Sequence, residues 1–149
     1  MERTMGHPMI AAAIAGAMLA TAAAQARAGG GPNGLWSMSN GKVSVKVSQC
    51  GAGLCGTIVG LKEPISKIDG KPKVDRENPD PALRQRALIG LSILIGMKPA
   101  GDAAWKGQIY NPDDGKTYSA TVKLDGDVMK VRGCVLAVLC KTNDFTRIN

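Results

Sequence analysis

Four cysteines, two groups of carboxylates and two spaced arginines are the residues whose types and spacing can do chemistry in this chain. Cys50 and Cys55 bracket one glycine-rich stretch and Cys134 and Cys140 bracket an apolar one, and four cysteines permit three pairings. Neither spacing is Cys-x-x-Cys. A redox pair or a four-thiolate metal site is therefore the weaker alternative to two structural staples. Asp75, Glu77 and Asp80 lie close together, as do Asp113 and Asp114. Paired carboxylates at a fixed separation can cleave a glycoside or hold calcium, but Asp and Asn near Pro are also common turn formers. Arg84 and Arg86 have the fork geometry to clamp an anionic head group.

The missing residue is as informative. His7 is the only histidine, and it lies in a segment unlike the rest: Arg3 opens a short charged start, Met9 to Ala24 carries no charge, and small residues follow. That layout belongs to a signal peptide, and its sixteen uncharged residues are short for a bilayer helix of about 20. Cleavage after Ala28 is the preferred frame, after Ala26 the other. The expected organisation is a cleaved signal at 1–28, then a single β-barrel domain at 29–149, exported to the periplasm or secreted. The mature chain then has no histidine, which removes Ser-His and Cys-His catalysis and the imidazole ligands of most zinc and copper sites. No catalytic motif, metal site or cofactor is expected. An enzyme would have to rely on carboxylates such as Asp75, Glu77 and Asp80, which ranks that reading last.

Without residues 1–28, seventeen basic and eleven acidic residues leave a net charge of +6. A basic domain can meet nucleic acid, anionic lipid or acidic polysaccharide. The charges are scattered, however, and the aromatics number only five: Trp36, Trp105, Tyr110, Tyr118 and Phe145. No nucleic-acid partner is expected, whereas weak contact with an anionic envelope surface is.

The elements that must position these groups are strands. Lys42 to Ser48 alternates polar and apolar without a fault, the pattern of a strand with one wet face. Leu35–Ser37, Cys55–Leu61, Ala87–Met97, Trp105–Tyr110, Thr117–Leu124, Val128–Arg132 and Lys141–Ile148 complete a set of eight. Asn111 to Gly115 and Asp125-Gly126 read as hairpin turns, and residues 62–86 as one long connection with a possible turn at Pro81 to Arg86. An all-β, eight-stranded up-and-down barrel follows, with a two-sheet sandwich as the rival.

Gly34-Leu35-Trp36, Leu54-Cys55-Gly56, the run Asn78 to Arg86, the block Trp105 to Tyr118, Arg132-Gly133-Cys134, Leu139-Cys140 and Phe145-Thr146-Arg147 together resemble the exported bacterial proteins of the domain of unknown function 2147 family. Phe145 stands where that family usually carries Trp. The resemblance implies a lipocalin-like (calycin-like) barrel. In such barrels a Trp near the start of the first strand is capped by a basic residue from the last, which assigns Trp36 and Arg147 to the closed end.

Strand parity adds three expectations. The two cysteine hairpins fall on opposite rims, too far apart to bridge, which favours the local pairs Cys50–Cys55 and Cys134–Cys140. The 62–86 connection, the Asn111 to Gly115 turn and the apolar tip Val135 to Leu139 share the rim opposite Trp36, which would be the mouth. A small apolar or anionic-amphipathic ligand is then expected inside, with Arg84, Arg86 and the tip near the mouth and Ile93 facing inward. The alternatives are a structural, envelope-contacting barrel filled by its own side chains and, third, the carboxylate enzyme.

Overall fold

Alternation with period two sends one set of side chains inward and the other to solvent. In the computed structural model of the protein, which describes residues 30–148, that alternation closes into an eight-stranded antiparallel barrel. The strands are β1 (Gly34–Met38), β2 (Val43–Cys50), β3 (Gly53–Leu61), β4 (Ser92–Pro99), β5 (Ala104–Asn111), β6 (Lys116–Asp125), β7 (Val128–Val135) and β8 (Leu139–Arg147). Each pairs with the next, and β8 closes on β1 with Trp36 opposite Arg147. Full closure leaves no sheet edge, so the two-sheet sandwich is set aside. The expected signal segment lies outside the described residues.

Most strand boundaries fall within three residues of expectation, and one does not. The apolar run Ala87–Met97 is not a single strand; β4 begins at Ser92, and Ala87 to Leu91 belongs to the connection, which thus covers 62–91. Gly90, at φ +93°, turns the chain there. Ala87 bridges to Val74, and the Leu88 N–H donates to the Lys73 carbonyl at 3.0 Å. The run is apolar for two different reasons: Leu88 and Leu91 anchor the connection, while Leu94 and Met97 face the barrel interior. The connection is folded on itself by a second bridge, Ile65 to Pro72, and carries a single 3-10 turn at Pro81–Leu83, N-capped by Asp80.

The core sits toward the rim where β1 begins. Trp36, Val47, Leu54, Met97, Val122, Met129 and Phe145 are all almost fully buried there. Two glycines make that packing possible. A Cβ on Gly56 would run into the Leu94 side chain, and one on Gly107 would meet Met97 Sδ and the β4 backbone. The register of β4 shifts against both neighbours at this level, and the absent side chains leave room for it.

Candidate functional site

The closed rim is sealed by one arginine. Arg147 holds its guanidinium carbon 4.2 Å above the Trp36 ring centre, a cation-π contact of about 0.5–2 kcal/mol. Its remaining N–H groups donate to the carbonyls of Gly30, Gly31 and Asn33 and to Asp127 Oδ1. Trp36 Nε1 donates to Pro32 O at 2.9 Å. The segment before β1 is thereby strapped across the barrel floor. The Cys50–Cys55 disulfide, with Cα atoms 5.7 Å apart, closes a hairpin tip on this same rim.

The opposite rim is open. A cavity of about 1040 Å³ descends from it to a floor of Ile58, Val131 and Phe145, with Met38, Val43, Leu61 and Ile109 half-buried along its wall. The same strands that fill the floor leave this space, because their inward positions change in kind toward the top. Gly133, whose missing side chain faces Ile109 and Tyr118, opens the β7 wall. On β8 the residues paired with Val131 and Gly133 are Asn143 and Lys141, and both line the cavity. Ile93, at the register shift in β4, is buried and lines it as well.

Charge at this rim is mostly lysine. Lys42, Lys62, Lys73 and Lys141 line the mouth with Glu63, Asp113 and Asp114. Glu63 is engaged by Lys67 at 3.5 Å, and Asp114 accepts from Tyr118 Oη and the Lys116 backbone N–H. Burial pushes the Asp114 carboxyl up, but these two hydrogen bonds, together with the Asn111 side chain and the Lys116 charge, hold it below its ordinary value. Among the described residues the four mouth lysines form no ion pair. They can therefore meet an anionic group at the top of an apolar well.

Arg84 and Arg86, expected at the mouth, are committed elsewhere. Arg84 Nε donates to the Asn78 carbonyl at 2.7 Å. Arg86 donates through Nε (2.8 Å) and a terminal nitrogen (2.7 Å) to Asp75 Oδ2, with its guanidinium carbon 5.5 Å from the Tyr110 ring centre. Neither lines the large cavity. Arg86 instead borders a shallower cleft of about 490 Å³ on the outer wall, with Asn78, Leu91 and Ile95. The cause is Asp75: a fully buried carboxylate needs compensation, and the nearby arginine supplies it.

Asp75 is the centre of a clasp. It accepts from Tyr110 Oη on Oδ1 (2.6 Å) and from Asn78 Nδ2 on Oδ2 (2.8 Å), and Asn78 also donates to Tyr110 Oη at 3.0 Å. Burial raises the Asp75 carboxyl, but the hydrogen bonds from Tyr110, Asn78 and Arg86 together hold it below the ordinary 3.8. Tyr110 is pushed above 10.0, first by burial and then by the adjacent carboxylate. An ionised carboxylate has no proton to give, and this one is fully buried among Tyr110, Asn78 and Arg86. The carboxylates considered for catalysis do not converge: Glu77 is exposed, and Asp80 caps the 3-10 turn through Ala82 N. The clasp pins the connection to β5, helped by Gly115 at φ +69°, where any Cβ would strike the Glu77 carbonyl.

Val135 to Leu139 forms the tip expected at the mouth, closed by the Cys134–Cys140 disulfide with Cα atoms 4.1 Å apart. Leu136 and Val138 at its apex are exposed, while Val135 and Leu139 at its base line the cavity mouth. Sequence reasoning missed the mouth lysines. The signal was present for Lys141, which alternation places on the same face as Asn143 and Phe145; alternation puts Lys42 on the wet face with Ser44 and Lys46, and Lys62 and Lys73 sit in a connection with no period to read.

A bacterial family described as "Uncharacterized protein conserved in bacteria (DUF2147)" matches residues 34–147. Among solved structures, the chain is similar to protein HP1028 from the human pathogen Helicobacter pylori, which is reported to belong to the lipocalin family. The two share 22% identity over 78% of this chain and 82% of that one, with a TM-score of 0.66. At that identity the likeness is one of fold. No curated protein matches the chain.

Proposed function

The chain belongs to this bacterial family, and from that premise we propose that it is an exported binding module. Its barrel takes a small amphipathic ligand, the apolar part down toward Ile58, Val131 and Phe145 and an anionic head among the mouth lysines. The observation that carries the reading is the cavity itself: about 1040 Å³, open at one rim, apolar at its floor and edged by four lysines that form no ion pair among the described residues. That volume is at the upper end for small-molecule sites, roughly 300–1,000 Å³. A barrel filled by its own side chains, the structural reading, would have no such space. Export fits the two disulfides, which persist in oxidising compartments. N-terminal sequencing of protein from the envelope fraction should find Gly29, or Arg27, as the first residue; an intact 1–28 segment would contradict export.

The binding test is a titration with cis-parinaric acid, a fluorescent fatty acid. A roughly micromolar Kd, about 8 kcal/mol, is expected. Ile93→Trp should abolish the signal while the far-ultraviolet dichroism is unchanged. Lys141→Met should weaken the acid more than its neutral alcohol analogue. Arg84→Ala should leave both probes nearly untouched, since that side chain holds the Asn78 carbonyl through Nε and does not line the cavity. If neither the acid nor the alcohol binds the wild type, the structural reading replaces this one.

A further inference from the structure

The exposed apolar side chains are distributed unequally between the two rims. The most exposed large hydrophobics among the described residues are Leu136 (87%), Val138 (78%), Ile68 (78%) and Leu139 (73%). All four belong to the mouth rim: three to the disulfide-closed tip and one to the small hairpin that the Ile65–Pro72 bridge makes in the connection. The tips of the closed rim carry Gly51-Ala52, Asp102-Ala103 and Gly126-Asp127, all small or charged.

The tip holds Leu136 and Val138 out in solvent, with Leu139 exposed at the cavity's lip, against local preference. Leu136 and Ala137 both have positive φ, at 50° and 59°, a turn in which Asn or Gly sits without steric cost. A leucine and an alanine occupy it, braced by Cys134–Cys140 and the Val138 N–H to Val135 carbonyl hydrogen bond. Exposed apolar groups concentrated like this mark a contact surface. The charges around them say which kind. Lys141 follows the tip on β8, and Lys42, Lys62 and Lys73 line the mouth beside it with Glu63, Asp113 and Asp114; Glu63 is paired with Lys67, which leaves four lysines against two acids around the mouth. A second copy would bring the same cations to the same face, where like charges repel. An anionic phospholipid surface offers phosphates to the lysines and hydrocarbon to the leucines.

We propose that the mouth rim docks on an anionic phospholipid bilayer, with Leu136, Val138, Leu139 and Ile68 entering the headgroup boundary and the lysines contacting phosphate. The barrel then opens directly onto the membrane. This docking does not depend on a ligand filling the cavity.

The test is co-sedimentation of the disulfide-intact protein with vesicles of phosphatidylcholine alone and of phosphatidylcholine mixed with phosphatidylglycerol. Partition should be at least roughly ten-fold stronger on the mixed vesicles and should fall as salt is raised. The double variant L136D/V138D should lose roughly ten-fold or more, with its dichroism and cis-parinaric acid binding retained, which separates lost docking from lost fold. Ile148→Asp, an equally drastic change at the closed rim, should leave partition unchanged, and Ile93→Trp should block the cavity without affecting it. Docking is refuted if the wild type does not sediment with anionic vesicles, if L136D/V138D sediments as the wild type does, or if the wild type is a dimer that L136D/V138D converts to a monomer.

Discussion

Val43 and Val47 stand on the same strand and the same face, four residues apart, yet Val47 is buried to 1% exposure while Val43 lines an open well. The barrel is two regions built on one set of strands. At the closed rim the inward residues are large and apolar, and glycines at 56 and 107 let neighbouring side chains interdigitate. At the mouth, inward positions pass to Gly133, Lys141 and Asn143, which cannot fill the space, and fixation is handed to a polar clasp outside the wall. Eight strands sit at the margin between a filled core and a one-ligand cavity, and this chain uses both solutions at opposite ends.

The contrast is broken most severely at the closed end. Trp36→Ala should cost about 4 kcal/mol by urea unfolding, because it opens a void in the tightest layer and removes the base on which Arg147 rests. A loss below about 1 kcal/mol would mean that this end is not the stability centre.

Asp75→Ala comes next, at about 3 kcal/mol, since it strands Arg86, Asn78 and Tyr110 together. The loss should be local, with amide exchange accelerating across 62–91 well before the closed end. The same site gives the mouth a pH window. The folded pKa of Asp75 lies below 3.8, so its contribution is complete above that value and is lost as pH falls through the depressed folded one. Tyr110 is raised above 10.0, so its contribution holds below 10 and is lost as pH rises through the folded value. Acid should therefore loosen the connection in the wild type, and this acid sensitivity should be largely absent in the Asp75→Asn variant.

The disulfides sharpen the comparison further. By loop entropy each short loop contributes only about 2 kcal/mol. Removing Cys134–Cys140 by double serine substitution should free the mouth tip and reduce vesicle partition, while removing Cys50–Cys55 should leave partition intact. Equal effects on partition would show that the rims are not functionally distinct. The smallest effect is the most pointed: Val47→Ala should cost about 2 kcal/mol and Val43→Ala less than about 1, because only the first leaves a cavity where none existed. Equal losses would mean that the well is collapsed in solution.

Much of this was legible beforehand because local rules governed it. The alternation from Lys42 to Ser48 and the Asp-Gly turn at 125–126 specify strand and hairpin within a few residues, and strand parity then separates the rims. Ala87–Met97 misled for a physical reason: an apolar run records burial, not the element that achieves it, and Leu88 and Leu91 are buried by a folded-back connection while Leu94 and Met97 are buried inside a strand. Arg84 and Arg86 misled similarly. An arginine's partner is chosen by what the fold brings within about 3 Å, and Asp75, eleven residues before Arg86, was brought there by the Val74–Ala87 bridge.

What the sequence determined by itself was the number of strands, their hairpin succession and the rim on which each turn falls, since period-two patterning and short hairpins act between neighbours; closure into a barrel and the start of β4 it left open. What only the tertiary structure decided was where the filled core stops and the well begins, which cations edge it, and that Leu136 and Val138 stand out in solvent while Val135 and Leu139 line the mouth. Those outcomes depend on volumes and partners assembled from all eight strands and the connection at once, and no local window of the chain contains them.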